Sequence, residues 1–191
     1  MAEKYNVTVW TEGHINKGWA GHVCERHLGL PLNSAQAPNF GSWELKVVPL
    51  KKLKTGRVVL KETMAITMID PVHVLQTSFD DSHLLAKLHK MVVCARMFES
   101  RMEEHSLLVK VGTFDLSDAA TLAQIRADYD NVRDTLKRMG VQRGFNALTG
   151  KMGVLVQPRT KGSGHTEART RAFYARKSLV ATILGDRSLA R

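Results

Sequence analysis

Cysteine is scarce: Cys24 and Cys94 are the two thiols in 191 residues. Two cysteines do not make a disulfide framework, and they read as reduced core thiols of a cytoplasmic protein. Long apolar runs are missing. Nothing approaches the roughly 20 residues that a membrane-spanning helix needs, and the N-terminus MAEKYNVTVW is not a secretory signal, so no membrane partner is expected. There is no internal repeat, low-complexity tract or obvious linker, and residues 1–191 are expected to form a single domain with a real core. Metal-ligand spacing is missing too. Cys24 and His27 could share a helical face, but His22 would not, and no second Cys/His pair with zinc spacing follows. Nothing points to a small-molecule cofactor: TKGSGHT has glycines but not the Gly-Lys-Ser/Thr ending of a nucleotide-binding P-loop.

Acid is in short supply. Lys and Arg number 28 against 18 Asp and Glu, a net charge of +10. Such an excess favours a polyanionic partner, nucleic acid before membrane. It is concentrated in two segments. KKLKTGRVVLK (51–61) carries no acid, and from Lys151 to Lys177 seven cations face Glu167 alone. The stretch between them, 117–140, is close to balanced. Two basic segments flanking a neutral middle suggest two walls of a groove, with solvated loop charges as the plainer reading of 51–57.

Local pattern places these segments on elements. NKGWAGHVCERHLG predicts a helix with Asn16 at its N-cap, Gly29 after its end and Trp19, Val23 and Leu28 towards the core. WELKVVPL has strand composition, with Pro49 near its end. Residues 58–70 read as one further strand, DDSHLLAKLHK as a short helix and MVVCARMF as a buried strand. Ser117 is expected to cap a long helix whose apolar residues Leu122, Ile125, Tyr129, Val132, Leu136 and Met139 recur every three or four positions, with Gly140 stopping it. GVLVQPR reads as the last strand and RAFYARKSLVATILG as the final helix. The order predicts an α/β (α+β) fold, a mixed central β-sheet flanked by helices.

The chemistry is concentrated in Glu44-Leu45-Lys46. On a strand, side chains two apart share a face. Glu44 could hold a hard divalent cation while Lys46 holds water or phosphate, and Leu45 points into the core. Metal-assisted phosphodiester hydrolysis needs that combination of oxygen ligands and a cationic group. Glu-x-Lys alone is common on exposed strand faces.

The surrounding motifs make the pattern specific. KGWAGHVCERHLG, PNFGSWELKVVPL, SHLLAKLHK and RAFYARKSLVATIL, in this order, resemble the MutH family of mismatch-repair nicking endonucleases and related GATC-cutting restriction enzymes, within the PD-(D/E)XK nuclease superfamily. The resemblance runs from about Lys17 to Leu184 and is weakest over 98–150. It implies a restriction-endonuclease-like fold with a DNA cleft between two lobes, Mg²⁺ as cofactor and double-stranded DNA as partner. It implies catalytic roles for Glu44, Lys46, Asn39, Glu25 and Lys87, with Glu44 and Asn39 as metal ligands. DNA contacts are implied for Lys17, Arg159, Lys161, Tyr174, Arg176 and Lys177. TKGSGHT would be a loop whose backbone amides approach DNA. One position departs from the family. An Asp is expected before the strand, and Asn39 stands there; an amide oxygen can coordinate a cation but brings no charge, so cleavage should be impaired.

Three functions follow from the resemblance. The first is a type II restriction endonuclease, with a homodimer on DNA and a cognate methyltransferase as genetic partner. It is favoured by a matching helix that begins after about sixteen residues, where MutH has a longer helical N-terminal portion. The second is a mismatch-repair nickase stimulated by a MutL-like protein. The third is a DNA-binding protein of this fold without cleavage.

Overall fold

The computed structural model describes residues 1–11, 13–30, 38–39, 41–100, 106–161 and 170–190. The glycine-rich loop at 162–164 lies outside the described residues. The chain opens with a 3₁₀ turn (Glu3–Tyr5) and a small hairpin, β1 (Trp10–Thr11) and β2 (His14–Ile15), before helix α1 (Trp19–His27). Asn16 caps the turn ahead of this helix rather than the helix itself: its Oδ1 accepts the Gly18 N–H at 3.0 Å. At the other end Gly29 adopts φ +71°, the Leu30 N–H reaches the Glu25 carbonyl and the Gly29 N–H reaches that of Arg26. This paired closure needs a left-handed residue, which glycine supplies without strain. Val23 is buried, whereas Leu28 is 55% exposed and not in the core.

Strand β3 (Glu44–Lys52) has Pro49 near its end, as expected, and runs three residues past it. Backbone direction explains the tolerance. The Leu50 carbonyl accepts the Phe98 N–H on one side and the Pro49 carbonyl accepts the Lys61 N–H on the other. Odd residues of β3 therefore face the edge away from its parallel partner β6 (Lys90–Met97), and the N–H that proline lacks would have pointed to that edge. The antiparallel neighbour β4 (Val58–Leu60) covers only Leu50–Lys52 of the edge.

The single strand expected over 58–70 is two strands in different sheets. After Leu60 the polar triplet Lys61-Glu62-Thr63 carries the chain across, and β5 (Met64–Met68) joins the second sheet. Helix α2 (Pro71–Gln76) is capped by Asp70, and α3 (His83–Leu88) by Ser82, whose hydroxyl accepts the Leu85 N–H. Strand β7 (Leu108–Asp115), unread in the sequence, completes a mixed sheet of order β4-β3-β6-β7. Helix α4 (Ala119–Met139) is capped by Asp118, one residue beyond Ser117, and Gly140 separates it from α5 (Val141–Ala147).

The largest departure is near the C-terminus. Residues expected to open the last helix form β9 (Thr170–Ala175), the central strand of an antiparallel sheet β5-β9-β8 with β8 (Val156–Lys161). Helix α6 begins only at Lys177 (Lys177–Ile183), and a 3₁₀ turn (Arg187–Ala190) follows. Residues 171–173 are buried in succession, and a strand covered on both faces loses the period-two signature. One continuous set of buried side chains, among them Leu60, Met91, Val93, Ile125, Phe173 and Val180, draws on both sheets and on α4 and α6. The architecture is mixed α and β, with helices flanking a mixed sheet, as expected. Cys94 is buried and Cys24 half-buried.

Two polar side chains, one buried and one half-buried, hold the approach to β8. Asp128, 4% exposed on α4, accepts the N–H groups of Val154, Leu155 and Val156 at 2.7–2.8 Å and the Gln124 amide at 3.0 Å. Arg176 donates to the carbonyls of Gly150, Met152 and Gly153. Hydrogen bonds to a charged partner contribute about 1.5–3 kcal/mol each, and the orphaned Val156 N–H would be buried. Asp128→Ala should therefore lower unfolding free energy by at least about 3 kcal/mol, and Asp128→Asn by less. Urea unfolding measures both; near-equal stability of the alanine variant and the wild type would show that the carboxylate does not hold this segment.

Candidate active site

Glu44 is the first residue of β3 and is fully buried. Its register places it opposite Met91, and Lys46 opposite Val93, so both side chains lie on one face of the sheet. Lys87 arrives from α3 on the same side. Glu44 Oε1 accepts from Lys46 Nζ at 2.5 Å and from Lys87 Nζ at 3.2 Å. Its other oxygen, Oε2, is buried and has no hydrogen-bond partner among the described residues. Burial depresses the Lys46 ammonium below the usual lysine range; Glu44 opposes this, while Lys87 and Lys161 add to it. Lys161 is exposed at the end of β8, and its charge reaches Lys46.

Asn39 completes the cluster. Its Oδ1 accepts the Leu45 N–H at 3.1 Å on the open edge of β3, and its Nδ2 donates to Glu25 Oε1 at 3.0 Å. Burial pushes the Glu25 carboxyl above the ordinary carboxylate range; His22, Lys46 and Lys87 pull it down and Glu44 pushes it up. Five residues far apart in sequence, Glu25, Asn39, Glu44, Lys46 and Lys87, thus form one constellation. Lys17 is exposed and lines the adjoining cleft of about 720 Å³, which runs between α1 and the open edge of β3.

Among the described residues no three His, Cys, Asp or Glu side chains converge as a ready-made metal cage. The orphaned Oε2 of Glu44, with Glu25 and the Asn39 amide nearby, nonetheless suits a hard cation, which takes one or two carboxylates and fills its remaining positions with water and phosphate.

The expected DNA-contacting residues divide. Arg159 donates to Thr63 Oγ1 at 2.6 Å, and its guanidinium lies 5.5 Å from the Tyr174 ring. Tyr174 is on strand β9 and not on a helix. Arg176, expected against DNA, instead directs its guanidinium to the three carbonyls of 150–153. Lys177 opens α6 and is in no ion pair among the described residues. The sequence reading passed over Trp19, Lys61, Arg96 and Phe98, which also line the cleft. Lys61 was visible as part of a basic run, but only the crossing between sheets turns it inward.

A Glu-x-Lys pair opening a strand of a mixed sheet, joined by a lysine from a neighbouring helix and flanked by helices on both sides, defines a PD-(D/E)XK nuclease fold. The model of the family described as the DNA mismatch repair enzyme MutH matches residues 28–128. More than half of the chain is covered, and the chain belongs to the MutH family. The match includes Asn39, Glu44, Lys46 and Lys87 and excludes Lys17, Glu25, Arg159 and Tyr174. Similar curated proteins include the DNA mismatch repair protein MutH of Vibrio cholerae, 26% identical over 96% of this chain and 86% of its own. Those of Histophilus somni, 24% identical over 97% and 86%, and Haemophilus ducreyi, 22% identical over 96% and 84%, follow.

Two outcomes follow from the electrostatics. Glu44 is the shared partner of two ion pairs, with Lys46 and Lys87. Removing one partner of a buried pair costs about 3–5 kcal/mol, so Glu44→Ala should lose that much in urea unfolding, and a loss below about 1 kcal/mol would mean that water reaches the lysines. Glu25 titrates in the opposite sense to most carboxylates. With its folded pKa raised above the unfolded value, its contribution to stability is fully present below the ordinary carboxylate range and is lost as pH rises through the raised value. Stability of the wild type relative to Glu25→Gln should therefore fall over that interval and then level off. Parallel pH curves for the two proteins would refute the shift.

Proposed function

We propose that this chain is a Mg²⁺-dependent DNA endonuclease of the mismatch-repair kind, with cleavage weakened by Asn39. The observation that carries the proposal is the buried Glu44 carboxylate, anchored through Oε1 by two lysines while Oε2 has no partner. The relatives are named as mismatch repair proteins, which favours repair over the restriction reading. They match over 84–86% of their own length, which removes the weight of a shorter N-terminal portion as an argument for restriction. A homodimer and a cognate methyltransferase belong to the restriction reading and are not part of this one.

Each residue has a physical task. Glu44 Oε2 and the Asn39 amide would hold the cation, which when bound polarises a phosphoryl oxygen and lowers the pKa of its water. Lys87 fixes the Glu44 carboxylate from behind. Lys46, with its ammonium pKa depressed by burial, places a proton donor beside that carboxylate and faces phosphate or the attacking water. Asn39 holds the Glu25 carboxylate and the Leu45 amide in register but adds no charge. Lys17 and Lys161 raise the positive potential at the mouth of the site, which concentrates a polyanion there. Arg159 on Tyr174 is the candidate for base contact, where a bidentate pair contributes about 1–3 kcal/mol of discrimination.

The test compares wild type with Asn39→Asp on unmethylated and methylated plasmid DNA, with Mg²⁺ and with or without a MutL-like protein. Asn39→Asp should increase cleavage, and Lys46→Ala in that background should abolish it. The new carboxylate would face Glu25, so the metal-free variant should melt below wild type and recover when Mg²⁺ is added. If Asn39→Asp binds Mg²⁺ and duplex but does not cut, the chain is a DNA-binding member of the fold, the reading that Asn39 itself favours.

A further inference from the structure

The cleft continues past the site. Pro49 lies three residues beyond Lys46 on β3, about 10 Å at 3.3 Å per residue, and the cleft extends this far along the open edge of the strand. Three features meet there. Arg96 is the β6 partner of Pro49; its guanidinium lies 5.2 Å from the Trp19 ring and donates to Ser106 Oγ at 2.9 Å. Trp19 Nε1 is buried and has no hydrogen-bond partner among the described residues. Lys61, tied to Pro49 through its backbone N–H, holds its ammonium 4.0 Å from the Phe98 ring and is in no ion pair among the described residues. Glu62 also lines this end, and its charge acts on Tyr174, beside Arg159.

A buried N–H without an acceptor costs free energy unless a ligand supplies one. An ammonium over an aromatic face keeps its full charge, because the ring attracts it without neutralising it. A donor without an acceptor and a cation without a counter-ion, at one end of a basic cleft, call for an anionic oxygen. Resting on the endonuclease reading, we infer that this end of the cleft is a second phosphate subsite for the DNA strand, with Trp19 Nε1 and Lys61 Nζ as donors and Arg96 as the residue that positions the Trp19 ring. The phosphate it takes is a near neighbour of the scissile one on the same strand. The subsite holds the strand in line with Lys46 and does not touch the reacting atoms.

The two donors differ in charge, which makes them separable. Binding of a fluorescent mixed-sequence duplex is measured by anisotropy over a range of salt concentrations, without metal, for the full chain. The variants are Lys61→Gln, Trp19→Phe and Lys54→Gln, the last on the exposed turn after β3, away from the cleft. Lys61→Gln should reduce the slope of log affinity against log salt by about 0.9, one released counter-ion. Trp19→Phe keeps the ring for Arg96 and loses the N–H; affinity should fall several-fold at unchanged slope. Lys54→Gln should match wild type. Circular dichroism melts identify any variant that fails to fold, and each donor variant tests the subsite independently. If wild type binds with steep salt dependence and both donor variants bind as it does, the subsite is wrong and the endonuclease reading stands. An equal slope change in Lys54→Gln would show diffuse electrostatics and also overturn it. If wild type binds no duplex, the endonuclease reading fails and the subsite with it.

Discussion

A carboxylate with no exposure to water must be paired, or it will be protonated or moved. Glu44 meets that requirement with two ammonium groups on one oxygen, and much of the fold can be traced to bringing them there. Lys46 comes at no topological cost, since it follows on the same strand face. Lys87 requires more: the crossover from β3 to the parallel strand β6 must carry α3, and that helix must bury Leu84 and Leu88 beneath itself. Once both lysines share Oε1, the other oxygen has a defined direction and no protein partner. A site of this kind is rigid because moving any member exposes an uncompensated charge.

The second sheet is positioned by the same kind of device on a different scale. Asp128 collects three backbone donors ahead of β8, and Arg176 collects three carbonyls from the turn just before them. Between them, the polar backbone of 150–156 is satisfied from both sides. This sets where β8 leaves the core, and therefore where Arg159 and Lys161 emerge. Arg176 is half-buried, and its guanidinium is taken up by these backbone carbonyls.

Asn39 shows how a neutral side chain can preserve a geometry while altering its chemistry. Its oxygen takes a strand-edge amide, and its nitrogen meets a carboxylate that an aspartate would repel in the absence of a cation. The amide thus stabilises the metal-free arrangement. Compared with an aspartate, it also leaves the constellation with one negative charge fewer for a divalent ion, so shape and charge are separated at this position.

Legibility followed the range of the interactions involved. Glu44 and Lys46 were readable because a strand's period is two, and α4 because its apolar residues recur every three or four positions. Gly29 was readable because its left-handed closure is local. Pro49 is tolerated inside β3 because an edge that accepts proline is defined by a neighbour that stops short. β9 was mistaken for helix because burial on both faces erases alternation, and β7 was missed in the segment where the motifs are weakest.

The sequence by itself determined the charge excess, the local elements with periodic cores, and the ordered motifs that mark the MutH family. It singled out Glu44 and Lys46 as candidates, because residue type and short spacing are covalent facts. Only the tertiary structure decided that Lys87 and Lys46 share one oxygen of Glu44, that Asn39 bridges Glu25 to the strand, that Arg176 faces inward, and that Trp19 and Lys61 extend the cleft. Those arrangements depend on which strands pair and where the chain crosses between sheets. Pairing is selected by the burial of the whole core, a sum over distant residues that no local window contains.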